Sequence, residues 1–268
     1  MERRPATTIW IGYFLLLSLY VNLTTDMFDA GNVPAWFAYW ACFFILAFLV
    51  SKYLLRLEGL NALGMQRQRG WLRHLGIGFV LGSSVYALKY LVFYEFGKFD
   101  VAGMAEPSFV LPMLGQALLA MFFSSILNDI TIRGYWFAYF QRRQLLAWYV
   151  FAATVLYALD DSIHAGFDFL NLTFSTILGL AFAYTVHKTG AIWMSLGLHW
   201  GGNMMYRVMY GFDGQGMWQL ENVQEAPLYN YVSLLITALM LPAVYFILRG
   251  RRESTRTLKQ VTEEQAVV

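Results

Sequence analysis

Long apolar runs dominate the chain and have the length of membrane-spanning helices. The clearest runs cover residues 9–23, 36–50 and 231–248. Each approaches the roughly 20 mostly apolar residues that a helix needs to cross about 30 Å of hydrocarbon. These runs lack the polar stripe that a helix on the surface of a soluble protein carries. The pattern therefore predicts an integral membrane protein whose helices cross the bilayer several times.

Extending this pattern along the chain predicts an all-α, polytopic bundle of about eight transmembrane helices. They lie near residues 8–25, 35–55, 71–95, 109–140, 145–165, 168–187, 190–210 and 229–249. Lys89 interrupts the third run, and the fourth is too long for one straight span, so we expect the fourth to tilt, break or continue along the interface. Residues 1–252 are expected to form this bundle, and residues 253–268 a polar cytoplasmic tail.

Composition and charge agree with a membrane protein and set its expected orientation. The chain is 58% apolar and 13% charged, whereas a soluble domain is about half apolar and a quarter charged. Lys and Arg concentrate in every second loop, which predicts both termini in the cytoplasm. The distribution fits a bacterial inner membrane and an endoplasmic-reticulum-like membrane equally well, and we expect the former. A net charge of +2 without a basic patch argues against nucleic acid as a partner.

Ionisable side chains inside the predicted spans are the candidates for function, because burying a charge in lipid is costly. The first cluster, in the fourth predicted helix, contains Asn128, Asp129 and Arg133. Asp129 and Arg133 are four residues apart, so they share a helix face and can pair. The alternative to a functional role is a buried ion pair that pins this helix to its neighbours.

The second cluster contains Asp160, Asp161 and His164, at the end of the fifth predicted helix. Either carboxylate can reach the imidazole on a helix, where it would fix the tautomer and raise the basicity of the far nitrogen. Alternatively, these residues lie at the membrane surface and are simply solvated.

The third cluster contains His199 and Asn203, which face the same side of the seventh predicted helix. They either form hydrogen bonds with a neighbouring helix or face a polar cavity shared with the other two clusters. Two His residues, an amide and several carboxylates could activate water and stabilise an oxyanion. They could also bind a divalent metal such as zinc through His164 and His199. The metal is the less favoured alternative, because no HExxH pattern is present.

The order of the motifs resembles the CPBP family of intramembrane proteases, which includes CAAX prenyl proteases and Abi-type, bacteriocin-processing proteins. The family's first motif is a Glu-Glu pair followed by Arg and Gly, and its second is a Phe with a His four residues later. Its third region is a Gly-rich helix followed by Tyr, Thr-Gly, Trp, and a His with an Asn four residues on. The matching positions are Asn128, Asp129, Arg133 and Gly134, then Asp160 and His164, then Gly179, Tyr184, Thr189, Gly190, Trp193, His199 and Asn203. The resemblance covers about residues 108–206.

The resemblance implies hydrolysis of a peptide bond in a membrane-embedded or membrane-anchored substrate. Asn128 replaces the family's water-activating Glu and cannot take a proton near neutral pH, so the base would be Asp129 or Asp160. His164 and His199 would orient water or stabilise the oxyanion, and Asn203 would donate to the oxyanion.

Three hypotheses follow from this substitution. The protein is an endopeptidase with a relocated carboxylate, an inactive relative that binds peptides or partner membrane proteins, or an ion or proton transporter. Arg133, Asp161 and Trp193 are motif residues expected to support the site. All three hypotheses about mechanism require the polar clusters to meet in one pocket.

Overall fold

A computed structural model describes residues 6–21 and 32–250, apart from the side chains of Ala6, His164 and Ala165. The expected tail, residues 253–268, lies outside the described residues. Each of the eight predicted runs coincides with helix, and the all-α bundle is confirmed. The helices are α1 (Ala6–Val21), α2 (Val33–Leu49), α3 (Trp71–Glu95), α4 (Pro107–Asn128), α5 (Tyr135–Arg142), α6 (Tyr149–Ala165), α7 (Phe169–Thr189), α8 (Trp193–Tyr210), α9 (Pro227–Ala238) and α10 (Met240–Leu248).

Short helical turns extend or connect several of these helices. A π-helical turn, Val50–Leu54, continues α2, and 3-10 turns cover Gly59–Leu63 and Leu146–Trp148. A second π-helical segment, Asp129–Gly134, joins α4 to α5 without a break, so that the fourth predicted helix runs from Pro107 to Arg142. The predicted break does not occur in this run, and whether it tilts or continues along the interface stays a prediction.

Six helical runs in the described residues are long and apolar enough to cross a bilayer. They are Val33–Leu54, Trp71–Glu95, Pro107–Arg142, Leu146–Ile163, Phe169–Thr189 and Pro227–Leu248. Large apolar side chains stay exposed around the bundle, among them Leu111 and Leu235 at 70% each. Such a surface suits contact with lipid rather than water, and the protein is an integral membrane protein.

The closest helix contact in the bundle is between α3 and α8, where both helices present glycines four residues apart. A Cβ atom at Gly78 would lie 2.4 Å from the carbonyl oxygen of Met194, and one at Gly197 would lie 2.2 Å from that of Leu75. Gly82 and Gly201 continue the contact along the same two helix faces. Small residues at this spacing let two backbones touch, which compensates for the weak driving force for helix association in lipid. This contact fixes the position of α8, which carries His199.

A short two-stranded antiparallel sheet, which the sequence pattern did not predict, connects two distant loops. Strand β1 (Asp100–Met104), between α3 and α4, pairs with β2 (Trp218–Glu221), between α8 and α9. Four residue pairs align, with an irregularity between Val101 and Gly103. The two-stranded sheet therefore links the loops at the end of the bundle where α3 ends and α9 begins.

Candidate active site

Arg133 is the centre of a buried polar network at the junction of α4 and α5. Its side chain is fully buried, and its Nε donates to Asp129 Oδ1 at 2.6 Å. One terminal nitrogen donates to Asn128 Oδ1, also at 2.6 Å. The predicted pairing of Asp129 with Arg133 is therefore present. The π-helical segment explains the second bond, because its wider turn brings residues five apart onto one face.

Aromatic rings surround the guanidinium on its remaining sides. The guanidinium carbon lies 4.9 Å from the ring centre of Tyr157 on α6 and 5.0 Å from that of Phe182 on α7. Contacts at this distance stabilise a cation that has lost its water. Arg133 thus contacts side chains from three helices, which suits the supporting role predicted for it.

Asp129 is fully buried, and its carboxylate has three polar partners. Besides Arg133, the hydroxyl of Ser195 donates to Oδ1, and His199 Nδ1 lies 3.3 Å from Oδ2. These partners use both oxygens of the carboxylate. Asp129 therefore holds α4 against α8 and has little capacity left to accept a proton from water.

His199 is held by its Nδ1 atom and by two aromatic rings. Nδ1 lies between Asp129 and the terminal nitrogen of Arg133, the latter at 3.2 Å. The imidazole stacks on Phe182 at a centroid distance of 5.3 Å and is perpendicular to Tyr157 at 6.0 Å. Because Nδ1 has a partner in either tautomer, the ring is fixed, and Nε2 lies on its opposite side. This geometry is typical of a His that presents one nitrogen to a ligand.

Asn128 and Asp160 contact each other directly, although they lie on different helices. Asn128 Nδ2 donates to Asp160 Oδ2 at 2.8 Å, and the hydroxyl of Tyr20 on α1 donates to the same oxygen at 3.1 Å. Asn128 Nδ2 also lies 2.8 Å from the Tyr20 hydroxyl. A carboxylate on α6 therefore lies beside the amide that replaces the family's first Glu. This contact was not predicted from the sequence, and the role of Asp160 as the base stays a prediction.

A cavity of about 110 Å³ opens beside this network and contains three of the predicted polar residues. One water needs only about 15 Å³ of such space, so the cavity can hold several. Asp161, His199 and Asn203 contribute the polar side chains to its wall. Its remaining lining residues are Tyr86, Tyr157, Phe174, Leu178, Phe182, Leu198 and Gly202.

Two hydrogen bonds orient the polar groups of this cavity. Ser175 on α7 donates its hydroxyl proton to Asp161 Oδ2. Asn203 Nδ2 donates to the hydroxyl of Ser125 on α4 at 3.3 Å. An amide nitrogen carries two protons, so this bond leaves Asn203 a second donor. The cavity thus combines a carboxylate, an imidazole and an amide donor.

The structure brings most of the predicted residues together, but in two adjoining groups. Asn128, Asp129, Arg133 and Asp160 form the buried network, whereas Asp161 and Asn203 line the cavity, and His199 belongs to both. The backbone of His164 lies in the last turn of α6, and its side chain is outside the described part of the structure.

Trp193 lies apart from both groups and has a packing role. Its indole N–H donates to the carbonyl oxygen of Gln66 at 2.9 Å, and its ring packs against Trp71 at 4.6 Å. Among the residues that the structure describes, no three His, Cys, Asp or Glu side chains are grouped as metal ligands would be.

Four polar partners of the site were not among the predicted residues. Tyr20 bonds to Asn128 and Asp160, Ser195 to Asp129, Ser175 to Asp161, and Ser125 to Asn203. Ser195 could have been found, because it lies four residues before His199 on the same helix face. Tyr20 and Ser175 carry no comparable signal, since hydroxyl residues are common in membrane helices.

Fold and site together define a polytopic helical membrane protein with a polar cavity enclosed by its helices. Residues 110–205 match the family model described as type II CAAX prenyl endopeptidase, Rce1-like. This match supports the resemblance to the CPBP/CAAX family of membrane proteases, and the matched region contains every motif position of the network and the cavity. Comparison with curated proteins and with solved structures found no match.

Proposed function

We propose that this protein is a CAAX-type intramembrane endopeptidase that hydrolyses a peptide bond in the cavity lined by Asp161, His199 and Asn203. The observation that carries the proposal is the meeting of these three side chains around a space large enough for water. They come from α6 and α8, within the region that matches the endopeptidase family.

Asp161 is the carboxylate best suited to activate water. Asp129 is fully buried, bonded to Arg133, Ser195 and His199, and not part of the cavity wall. Asp160 is 5% exposed, accepts from Asn128, and is not part of the cavity wall. The sequence analysis assigned the base to Asp129 or Asp160, and this proposal moves it one residue along α6.

The proposed reaction gives each of the three polar side chains a role. Asp161 accepts a proton from water as the water oxygen attacks the carbonyl carbon of the peptide bond. The second amide proton of Asn203 and the Nε2 side of His199 stabilise the oxyanion or orient the water. Asp161 then returns the proton to the leaving nitrogen, and the C–N bond breaks.

Cleavage of membrane-anchored peptides by the purified protein in lipid vesicles tests this proposal. We expect Asp161→Asn and His199→Ala each to lower kcat about 100-fold or more, since general-base catalysis contributes roughly that much. Asp213→Asn, in the exposed loop after α8, is the matched control and should leave the rate unchanged. Addition of EDTA should also leave the rate unchanged. Full activity in Asp161→Asn together with loss in Asp160→Asn would return the role of base to Asp160.

An inactive, peptide-binding relative is the second candidate, and the Asn128–Asp160 contact favours it. The amide occupies the first motif position and is bonded to the nearest carboxylate. Under this alternative the parent protein binds the peptides without cleaving them. Cleavage would then appear only when Asn128→Glu is combined with Asp160→Asn, which removes the neighbouring negative charge.

A further inference from the structure

Lys89 is a buried amine inside a membrane-spanning helix that the proposed mechanism leaves unused. It lies on α3, six residues before the end of that helix, and is 6% exposed. An ionised side chain at such a position is costly and commonly marks a pathway for a substrate or ion. Its surroundings therefore indicate what it binds.

Aromatic rings form the immediate surroundings of the Lys89 ammonium. Its nitrogen lies 3.8 Å from the ring centre of Tyr86, 4.9 Å from that of Tyr90 and 5.8 Å from that of Phe174. Within residues 6–21 and 32–250, no carboxylate lies at ion-pair distance from it. Cation–π contacts hold the ammonium in place but do not neutralise its charge.

One of these rings, that of Phe174, lines two cavities. Tyr86 and Phe174 line the cavity that contains Asp161 and His199. Phe174 also lines a second, more open cavity of about 330 Å³ between the start of α7 and α9. The polar side chains of this second cavity are Asp168, Asn171, Asn230 and Ser233. Lys89 thus lies beside two rings of the proposed catalytic cavity, and one of these rings, Phe174, also faces the second, polar cavity.

We propose that Lys89 is a specificity-determining residue that binds a carboxylate of the substrate peptide close to the bond that is cut. A peptide that enters past Phe174 would bring such a group to an amine already stripped of water. The carboxylate would favour the ionised form of Lys89, and the resulting charge-assisted bond is strong. The carboxylate is either the C-terminus of the peptide or an acidic side chain near the cleaved bond. This inference rests on the proposed endopeptidase function.

Three matched peptides separate the two sources of the carboxylate. The first ends in a free C-terminal carboxylate, the second is its C-terminal amide, and the third is the amide with one Glu introduced beside the cleaved bond. We expect Lys89→Met to raise KM about tenfold or more for the carboxylate peptides that the parent prefers, with kcat nearly unchanged, and to leave the plain amide unaffected. A preference for the first peptide assigns the C-terminus, and a preference for the third assigns a side chain.

Two further variants and one binding measurement complete the test. Lys89→Arg keeps the positive charge and should retain the preference. Lys98→Met removes another cation that packs on aromatic rings, Phe93 and Tyr229, but lies outside the cavity wall, and should change nothing. Equal loss for acid and amide peptides in Lys89→Met, or no parent preference between them, would overturn the proposal. If the parent protein cleaves neither peptide but binds the carboxylate peptide more tightly than the amide, Lys89 binds the carboxylate and the proposed endopeptidase activity is wrong.

Discussion

Asn128 and Asp160 form an amide–carboxylate pair in which one side chain donates and the other accepts. The 2.8 Å contact joins the end of α4 to α6. A second carboxylate in place of the amide would put two acceptors in contact, and one of them would have to take a proton. Asn128, at the first motif position, is therefore matched by a carboxylate on α6, Asp160, that accepts its amide proton.

Exchange of the amide and the carboxylate between positions 128 and 160 is expected to restore most of the stability that a single substitution removes. Asn128→Asp alone should lower the free energy of unfolding by roughly 2–5 kcal/mol, because it buries an unpaired negative charge. The double variant, Asn128→Asp with Asp160→Asn, should recover most of that loss. Thermal unfolding in detergent micelles measures both effects. Strictly additive losses in the double variant would contradict a direct interaction.

Replacement of Arg133 by Lys tests whether the planar guanidinium matters beyond its charge. Nε and one terminal nitrogen of Arg133 bind Asp129 and Asn128 separately, each at 2.6 Å. A single ammonium cannot reproduce this fork, so we expect Arg133→Lys to cost about 1–3 kcal/mol of unfolding free energy. Equilibrium unfolding of the purified variant measures the loss. Stability equal to that of the parent would show that charge alone is sufficient.

The sequence predicts the contacts that lie within one helix better than those between helices. Asp129 and Arg133 are one helical turn apart, and their pairing is confirmed. Tyr20 bonds to a residue 108 positions away, which no local spacing indicates. Asp160 and Asp161 are adjacent in sequence, yet one faces the network and the other the cavity. That difference depends on the rotation of α6, which only its packing fixes.

At the scale of helices, the glycines of α3 and α8 control how closely the two backbones approach. Gly197→Leu should cost about 3 kcal/mol or more in unfolding free energy, because a Cβ at this position would lie 2.2 Å from the carbonyl oxygen of Leu75. It should also abolish any peptide cleavage, since α8 carries His199.

Gly76→Ala, on the partner helix α3, is the control for this substitution. A Cβ atom at Gly76 meets nothing within 4 Å. Alanine favours the helix by about 1 kcal/mol relative to glycine, so this variant should be as stable as the parent or slightly more so. Equal stability of Gly197→Leu and Gly76→Ala would contradict the close contact.

Over the whole molecule, the apolar pattern predicts the helices well because lipid forces every backbone group into internal hydrogen bonds. The eight predicted runs all coincide with helix. The two-stranded sheet was missed, because its strands are short and mostly exposed and therefore lack an alternating apolar face. The π-helical segment was also missed, since its residues would fit an ordinary α-helix by composition.

The orientation of the bundle stays a prediction that accessibility can test. The alternation of Lys and Arg predicts that Leu145, after α5, is cytoplasmic and that Glu225, before α9, is on the other side. Both side chains are exposed. In a Cys42→Ser background, an impermeant thiol reagent applied to intact cells should label Glu225→Cys and spare Leu145→Cys. The reverse labelling would invert the orientation.

Strands β1 and β2 pair across the exposed turn around residues 213–215, so we expect the protein to tolerate a break of the chain at this turn. The segment beyond this turn carries β2, and its helices α9 and α10 pack against α3 and α7. A gene divided at this turn should therefore yield two polypeptides that find each other in the membrane. Co-purification of the C-terminal piece with a tagged N-terminal piece would demonstrate such complementation, and its failure would show that the junction is needed for assembly.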